Sequence, residues 1–131
     1  MRYMLDTDIC IALIKKRPET MLKRLAELAP EEVGISGIVA AELRFGVEFS
    51  QKKKQNSAAL NDFLEYVILL DWPGEASNIY GQIRAGIQKK GTPIGAMDLL
   101  IAAHALFLDA VLDTKEFVRI PGLKIENWLN P

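Results

Sequence analysis

This chain of 131 residues predicts an α/β fold on a short, mainly parallel central sheet of about four to five strands flanked by helices. Two observations carry that expectation. Short apolar runs bounded by turn residues alternate with longer stretches of helical period, the pattern of a parallel sheet covered on both faces. Four acidic residues, Asp6, Glu42, Asp98 and Asp113, each stand where such a fold brings strand ends and helix starts to one edge. The length suits one domain spanning 1–131, with a core that needs no disulfide or structural metal.

The elements follow in order. Arg2 to Asp6 reads as a short strand, and Ile9 to Ile14 continue as a helix that stops near Arg17-Pro18. Glu19 to Ala29 has Met21, Leu22, Leu25, Ala26 and Leu28 at helical spacing, ended by Pro30. Val33 to Ser36 is β-like, and Ser36 can cap the helix carrying Ile38, Val39, Ala41, Leu43 and Val47. Polar Gln51 to Asn56 interrupts before a helix from Ala58 to Glu65. Val67-Ile68-Leu69-Leu70 predicts the best-buried strand. Glu75 to Lys90 is a one-faced helix, Gly91-Thr92-Pro93-Ile94-Gly95 a rigid loop, and Ala96 to Leu108 a central, almost wholly apolar helix. Ala110-Val111-Leu112 begins a strand that stops at Asp113, and Lys124 to Trp128 alternates enough for a last edge strand.

Composition narrows the function classes. Half the residues are apolar and a quarter charged, as in ordinary soluble domains. Cys10 is the single cysteine, so neither an internal disulfide nor a cysteine-based zinc site can form; it reads as a small buried hydrophobe. Asp6 and Asp8 break the first apolar run, which argues against a signal peptide. No stretch is apolar enough to span a bilayer, so no membrane role and a cytoplasmic location are expected. A net charge of −1 gives no whole-molecule attraction to nucleic acid. The cations are clustered, however, at Lys15-Lys16-Arg17, Lys23-Arg24, Lys52-Lys53-Lys54 and Lys89-Lys90. Each cluster reads first as a solvated helix end.

An acid set in apolar sequence is costly to bury unless something positive meets it. Asp6 and Asp113 close strand-like runs, while Glu42 and Asp98 lie early in helices. Gathered at one sheet edge they would repel one another, and a divalent cation relieves that repulsion. Carboxylates with water suit Mg2+, or Mn2+. One or two such ions can activate water and stabilise the leaving oxygen of a phosphodiester. The pattern therefore points to metal-dependent phosphodiester cleavage.

The ordered set of segments also resembles a known family. They are Met4-Leu5-Asp6-Thr7-Asp8-Ile9-Cys10-Ile11, Ile35-Ser36 with Ala41-Glu42-Leu43 and Gly46, and Gly81-Gln82-Ile83-Arg84-Ala85. Gly91-Thr92-Pro93-Ile94-Gly95-Ala96-Met97-Asp98 follows, with Ile101-Ala102-Ala103-His104-Ala105, Thr114-Lys115-Glu116-Phe117 and Pro121 to Trp128. In this order they resemble the PIN-domain ribonucleases, and within them the VapC toxins of toxin–antitoxin modules. The resemblance implies a single PIN-like domain in which Asp6, Glu42 and Asp98 are the catalytic, metal-binding acids and Asp113 matches a fourth metal position. It implies Mg2+-dependent endonucleolytic cleavage of RNA, often transfer RNA, and neutralisation by a VapB-type antitoxin. It further implies a homodimer and a larger toxin–antitoxin assembly.

One departure stands out. Where relatives read Val-Leu-Val-Thr-Asn-Asp-Thr-Lys-Glu-Phe, this chain reads Val111-Leu112-Asp113-Thr114-Lys115-Glu116-Phe117, about three residues shorter. At about 3.3 Å per strand residue this moves Asp113 by roughly 10 Å or shortens the loop, and an odd change reverses the face a strand residue occupies. A catalytically weakened PIN domain that still binds antitoxin is therefore an alternative.

The remaining polar residues carry lesser expectations. Thr7, Ser36 and Thr114 are hydroxyls near the acids, suited to hold waters or phosphate oxygens, with capping the simpler role for Ser36. Arg84 interrupts an apolar face and can meet the RNA backbone or an acid. Asp8 reads as a cap before a ligand, and Glu116 as a helix-end charge. His104, about 240° round the helix from Asp98, reads as structural. Trp72 and Trp128 read as packing residues rather than base platforms. The Asp6-Thr7-Asp8 spacing also opens haloacid-dehalogenase-like phosphatases, whose first Asp is a nucleophile, but no later strand supplies their further acids.

Overall fold

The computed structural model describes residues 1–91, 94–115 and 120–130. Five strands, β1 (Tyr3–Leu5), β2 (Val33–Ser36), β3 (Ile68–Leu70), β4 (Val111–Asp113) and β5 (Ile125–Glu126), form a sheet in the order β3-β2-β1-β4-β5. Every neighbouring pair is parallel. Six helices accompany them among the described residues: α1 (Thr7–Ile14), α2 (Glu19–Ala26), α3 (Gly37–Phe49), α4 (Lys53–Leu64), α5 (Ala76–Lys89) and α6 (Ala96–Leu108).

Consecutive residues in β1 point to opposite faces, yet Tyr3, Met4 and Leu5 are all buried. Both faces of the central strand are therefore covered, as a parallel sheet requires. Val33, Ile35 and Leu112 from the adjoining strands, Ile9 and Leu13 from α1, and Val39 and Leu43 from α3 close the main core. A smaller cluster of Ile87, Leu99, Ala102 and Ile120 joins α5 to α6. Gly34 permits the close pairing of β2 with β3, since a Cβ there would lie 2.8 Å from Leu70 Cδ1 and 3.3 Å from the Ile68 carbonyl. Arg24 clasps the far side: its guanidinium donates to the Tyr3 hydroxyl and meets Glu126 at 3.3 Å, beside the Tyr3 and Trp128 rings.

Three expectations need correction. Val67 to Leu70 is not the best-buried strand: β3 is an edge strand, and Leu69 is 54% exposed because only β2 pairs with it. The polar run Gln51 to Asn56 does not interrupt for long, since α4 begins at Lys53; Lys, Gln and Asn on an outer helix face meet water without cost. Helix α1 begins at Thr7 and is capped by Asp6, so Asp8 lies inside its first turn and is not the cap. Within the loop from Gly91 to Gly95, Thr92 and Pro93 lie outside the described residues.

Candidate active site

Strand order reverses between β1 and β4, with β2 on one side of β1 and β4 on the other. In parallel α/β sheets the crevice beyond the carboxyl ends at such a switch point takes ligands. The chain leaves β1 through Asp6 into α1 and leaves β2 through Ser36 into α3. Helix α6 runs the other way, ending before β4 begins, so its N-terminal turn with Asp98 also stands at this rim. The Trp72 indole, just beyond β3, donates to the Leu100 carbonyl at 2.9 Å and ties α6 there. Three helix N-termini thus bring partial positive charge to the edge holding the acids.

The Asp6 carboxylate is held at both oxygens. Oδ1 accepts the Thr7 N–H at 2.7 Å, and Oδ2 accepts the Thr114 hydroxyl at 2.8 Å. The Thr7 hydroxyl donates to Glu42 Oε1 at 2.7 Å. One threonine therefore bridges two acids that are 36 residues apart in sequence, donating its backbone N–H to one and its hydroxyl to the other. Asp6 and Glu42 are both half-buried, so they keep access to a ligand. Asp98 enters from the first turn of α6, with Oδ2 3.7 Å from where a side chain on Gly95 would begin. Among the described residues no group of three or more His, Cys, Asp or Glu side chains is gathered closely enough to hold a metal ion.

Among the described residues, those named at this rim present oxygen donors, the carboxylates of Asp6, Glu42 and Asp98 beside the hydroxyls of Thr7 and Thr114. That set fits a hard dication such as Mg2+ or Mn2+ and not zinc or copper. Asp6, Glu42 and Asp98 are the residues that would hold it.

Asp113 is placed differently. It pairs with Leu5 inside the sheet and is fully buried. Oδ1 accepts the Trp128 N–H at 2.9 Å, and Oδ2 has no partner among the described residues. Burial is the main cause of a pKa pushed up to about 7; the Glu126 and Asp6 charges add to the rise, while the Trp128 N–H and Arg24 oppose it. The backbone carbonyl of Asp113 accepts the Asp6 N–H at 2.9 Å, but the side chain is enclosed below the rim where Asp6 and Thr114 stand. The Cys10 thiol is also buried, and its pKa is raised by burial first and then by the charges of Asp6 and Asp113.

The other expected residues sort plainly. Thr7 and Thr114 join the acids; Ser36 accepts the Ile38 N–H and is the α3 cap. Arg84 is exposed on α5 and donates to the Tyr80 hydroxyl at 2.6 Å. Asp8 pairs with Lys115 at 3.5 Å. His104 is buried, and Trp128 packs edge-to-face on Tyr3 with centroids 5.5 Å apart, so these are packing residues. Glu116 lies outside the described residues. Sequence patterning gave no sign that Thr7 spans Asp6 and Glu42, because that link depends on how α1 and α3 pack.

Comparison with known proteins shows the family. The PIN domain matches residues 3–120. Ribonuclease VapC2 of Rickettsia felis is 45% identical over 132 residues, covering 98% of each chain. The tRNA(fMet)-specific endonuclease VapC of Salmonella typhimurium is 40% identical over 131 residues, again covering 98% of each. Among solved structures, VapBC2 from Rickettsia felis bound to a DNA fragment from its promoter superposes with a TM-score of 0.92 at 42% identity, covering 98% of this chain and 99% of that one. The chain belongs to the PIN-domain family and, within it, to the VapC ribonucleases.

Proposed function

We propose that the chain is the endoribonuclease toxin of a VapBC-type module, cutting RNA with Mg2+, or Mn2+, held by Asp6, Glu42 and Asp98. The observation that carries this reading is the Asp6–Thr7–Glu42 bridge at the switch-point rim. Two carboxylates are held close there by neutral donors, leaving their remaining lone pairs for a cation. Bound at this site, the ion supplies positive charge to the phosphate and acidifies a water. The chain's own groups orient the acids, and the helix N-termini offset the negative charge of the entering phosphodiester. No second titratable pair is needed, since the sole histidine is buried. Transfer RNA is the substrate class, by analogy with the tRNA(fMet)-specific relative. Arg84 would meet the RNA backbone.

A VapB-type antitoxin is the partner, as in the related complexes. It fits an apolar groove of about 850 Å3 between α1–α2 and α4, lined by Leu22, Leu25, Phe63 and Tyr66. A cleft of about 260 Å3 that shares Ile14 and Ala59 with the groove reaches Glu42. An amphipathic antitoxin segment seated there would carry a cation toward the acids. The toxin acts as a homodimer within the larger assembly, in the cytoplasm.

Replacing Asp98 with Asn and assaying RNA cleavage with magnesium tests the assignment; unchanged cleavage overturns it. One observation favours a second reading, a weakened enzyme that binds antitoxin without cutting: Asp113 is shut into β4. Calorimetric titration of manganese, alongside a chain with three residues restored before Asp113, separates the two. Metal binding by the native chain counts against the weakened form.

A further inference from the structure

Thr114 is pinned twice where β4 leaves the sheet: its N–H donates to the Glu126 carbonyl at 2.9 Å, and its hydroxyl donates to Asp6 Oδ2 at 2.8 Å. Lys115 follows at once, so its stem starts one residue, about 3.8 Å, along the chain from that anchor. Its ammonium turns back to the first turn of α1, 3.5 Å from Asp8 Oδ2. The lysine therefore lies across the rim between the exits of β4 and β1, where Asp6 stands. The two side chains are 50% and 42% exposed, so this is a loose surface pair that contributes little and exchanges readily. The other paired cations stand elsewhere. Arg24 clasps the far side, Arg44 turns to Asn61 on α4, Lys53 meets Glu48, and Lys124 meets Asp109 beyond the opposite end of β4. Lys15, Lys16 and Arg17 follow the far end of α1, roughly 12 Å from Asp6 by the helical rise.

We infer that Lys115 binds the RNA phosphate next to the cleaved bond, exchanging Asp8 for it as the strand seats. The inference rests on the ribonuclease reading and adds a substrate-binding residue to it. Asp6, Glu42 and Asp98 make this rim acidic, and Asp8 stands beside them. A cation held by three carboxylates has its charge largely answered by them, so a neighbouring phosphate meets net repulsion unless another positive group reaches it. An ammonium on a flexible stem, with three donors, can follow a phosphate oxygen into place. Asp8 keeps it near: before RNA arrives, the pair holds the ammonium at the rim instead of leaving it to swing through solvent. The exchange costs little, because one oxyanion replaces another. Asp8 then remains stabilised by the positive end of α1, within whose first turn it lies.

The test compares Lys115→Met, Lys115→Arg, Asp8→Asn and the double variant Lys115→Met/Asp8→Asn. Each is built in the Asp98→Asn background, and a fluorescein-labelled unstructured RNA 12-mer is titrated in magnesium at several KCl concentrations. Lys115→Met is expected to weaken binding roughly fivefold and to flatten the slope of log Kd against log salt by about 0.7, one phosphate contact on a single strand. Lys115→Arg should restore both. Asp8→Asn releases the lysine and should tighten binding about threefold, a gain that shrinks in the double variant. A lysine that served only to tie β4's exit to α1 would behave otherwise, since breaking the pair from either side would then weaken binding alike. That result overturns the proposal. So does a Lys115→Met chain with native affinity and salt slope, or an Asp8→Asn gain undiminished in the double variant. In the active background Lys115→Met should raise KM more than it lowers kcat. Cleavage lost in Asp98→Asn but with native KM in Lys115→Met leaves the ribonuclease reading standing and removes this one.

Discussion

Replacing Asp113 with Asn should abolish a pH dependence of stability that the native chain carries. Asp113 is fully buried in β4, with its pKa raised from 3.8 to about 7, chiefly by burial. The folded state therefore holds a proton between about pH 4 and 7 that the unfolded chain releases. Stability then falls as pH rises through that window. Three pKa units at 1.36 kcal/mol each amount to about 4 kcal/mol lost between pH 4 and 8. Asparagine keeps an acceptor for the Trp128 N–H and carries no charge. Its amide, placed where Oδ2 has no partner among the described residues, costs about 1–3 kcal/mol at every pH.

Denaturant unfolding of both chains at intervals from pH 4 to 8, in EDTA, gives the difference curve. His104 has its pKa lowered by burial, so it destabilises with the opposite sign, as pH falls through the usual histidine range. That contribution is common to both chains and cancels. Asp113→Asn should be less stable than native at pH 4 and gain steadily to about pH 7. A flat difference curve would refute the enclosed placement of Asp113.

Thr7→Val should lower RNA cleavage by about 10- to 100-fold, because the bridge between Asp6 and Glu42 is lost; Thr114→Val should act similarly through Asp6. Magnesium at 100 times its Kd should raise unfolding free energy by about 2.7 kcal/mol, and Asp6→Asn should remove the effect in thermal melts. Gly34→Ala should cost about 1–3 kcal/mol by denaturant unfolding, since the new methyl group presses on Leu70 and the Ile68 carbonyl. The Cys10 thiol should resist iodoacetamide at pH 8 in the native chain and react once guanidinium unfolds it.

The sheet and most helices were legible because periodicity reports burial directly. Tyr3-Met4-Leu5 and, apart from His104, the run from Leu99 to Ala105 are apolar where they meet the core. What failed depended on neighbours. Nothing in Val67-Ile68-Leu69-Leu70 distinguishes a central strand from an edge strand, since that is set by which strands pair. Lys53 to Asn56 looks like a loop by polarity, yet an outer helix needs apolar residues only on its inner stripe, here Leu60 and Phe63. At the rim, Asp6 and Glu42 were readable as acids in apolar sequence. The threonine joining them was readable only as a nearby hydroxyl.

Asp6 and Asp113 show how far register decides chemistry. Both are aspartates at the ends of adjacent parallel strands, and one hydrogen bond, Asp6 N–H to the Asp113 carbonyl, fixes their relative height. Leu5, not Asp6, is the partner of Asp113. Asp6 has therefore passed the end of its strand, where it caps α1 and accepts from two threonines, while Asp113 is still inside the sheet beneath Trp128. The residue of β4's exit that stands level with Asp6 is Thr114, which presents a hydroxyl where a carboxylate one step along would have added a negative charge. A neutral donor there steadies Asp6 without repelling it. Acid density at the rim is thus set by a register of one residue: Asp113 is enclosed in the sheet, while Asp6 stands past the end of its strand.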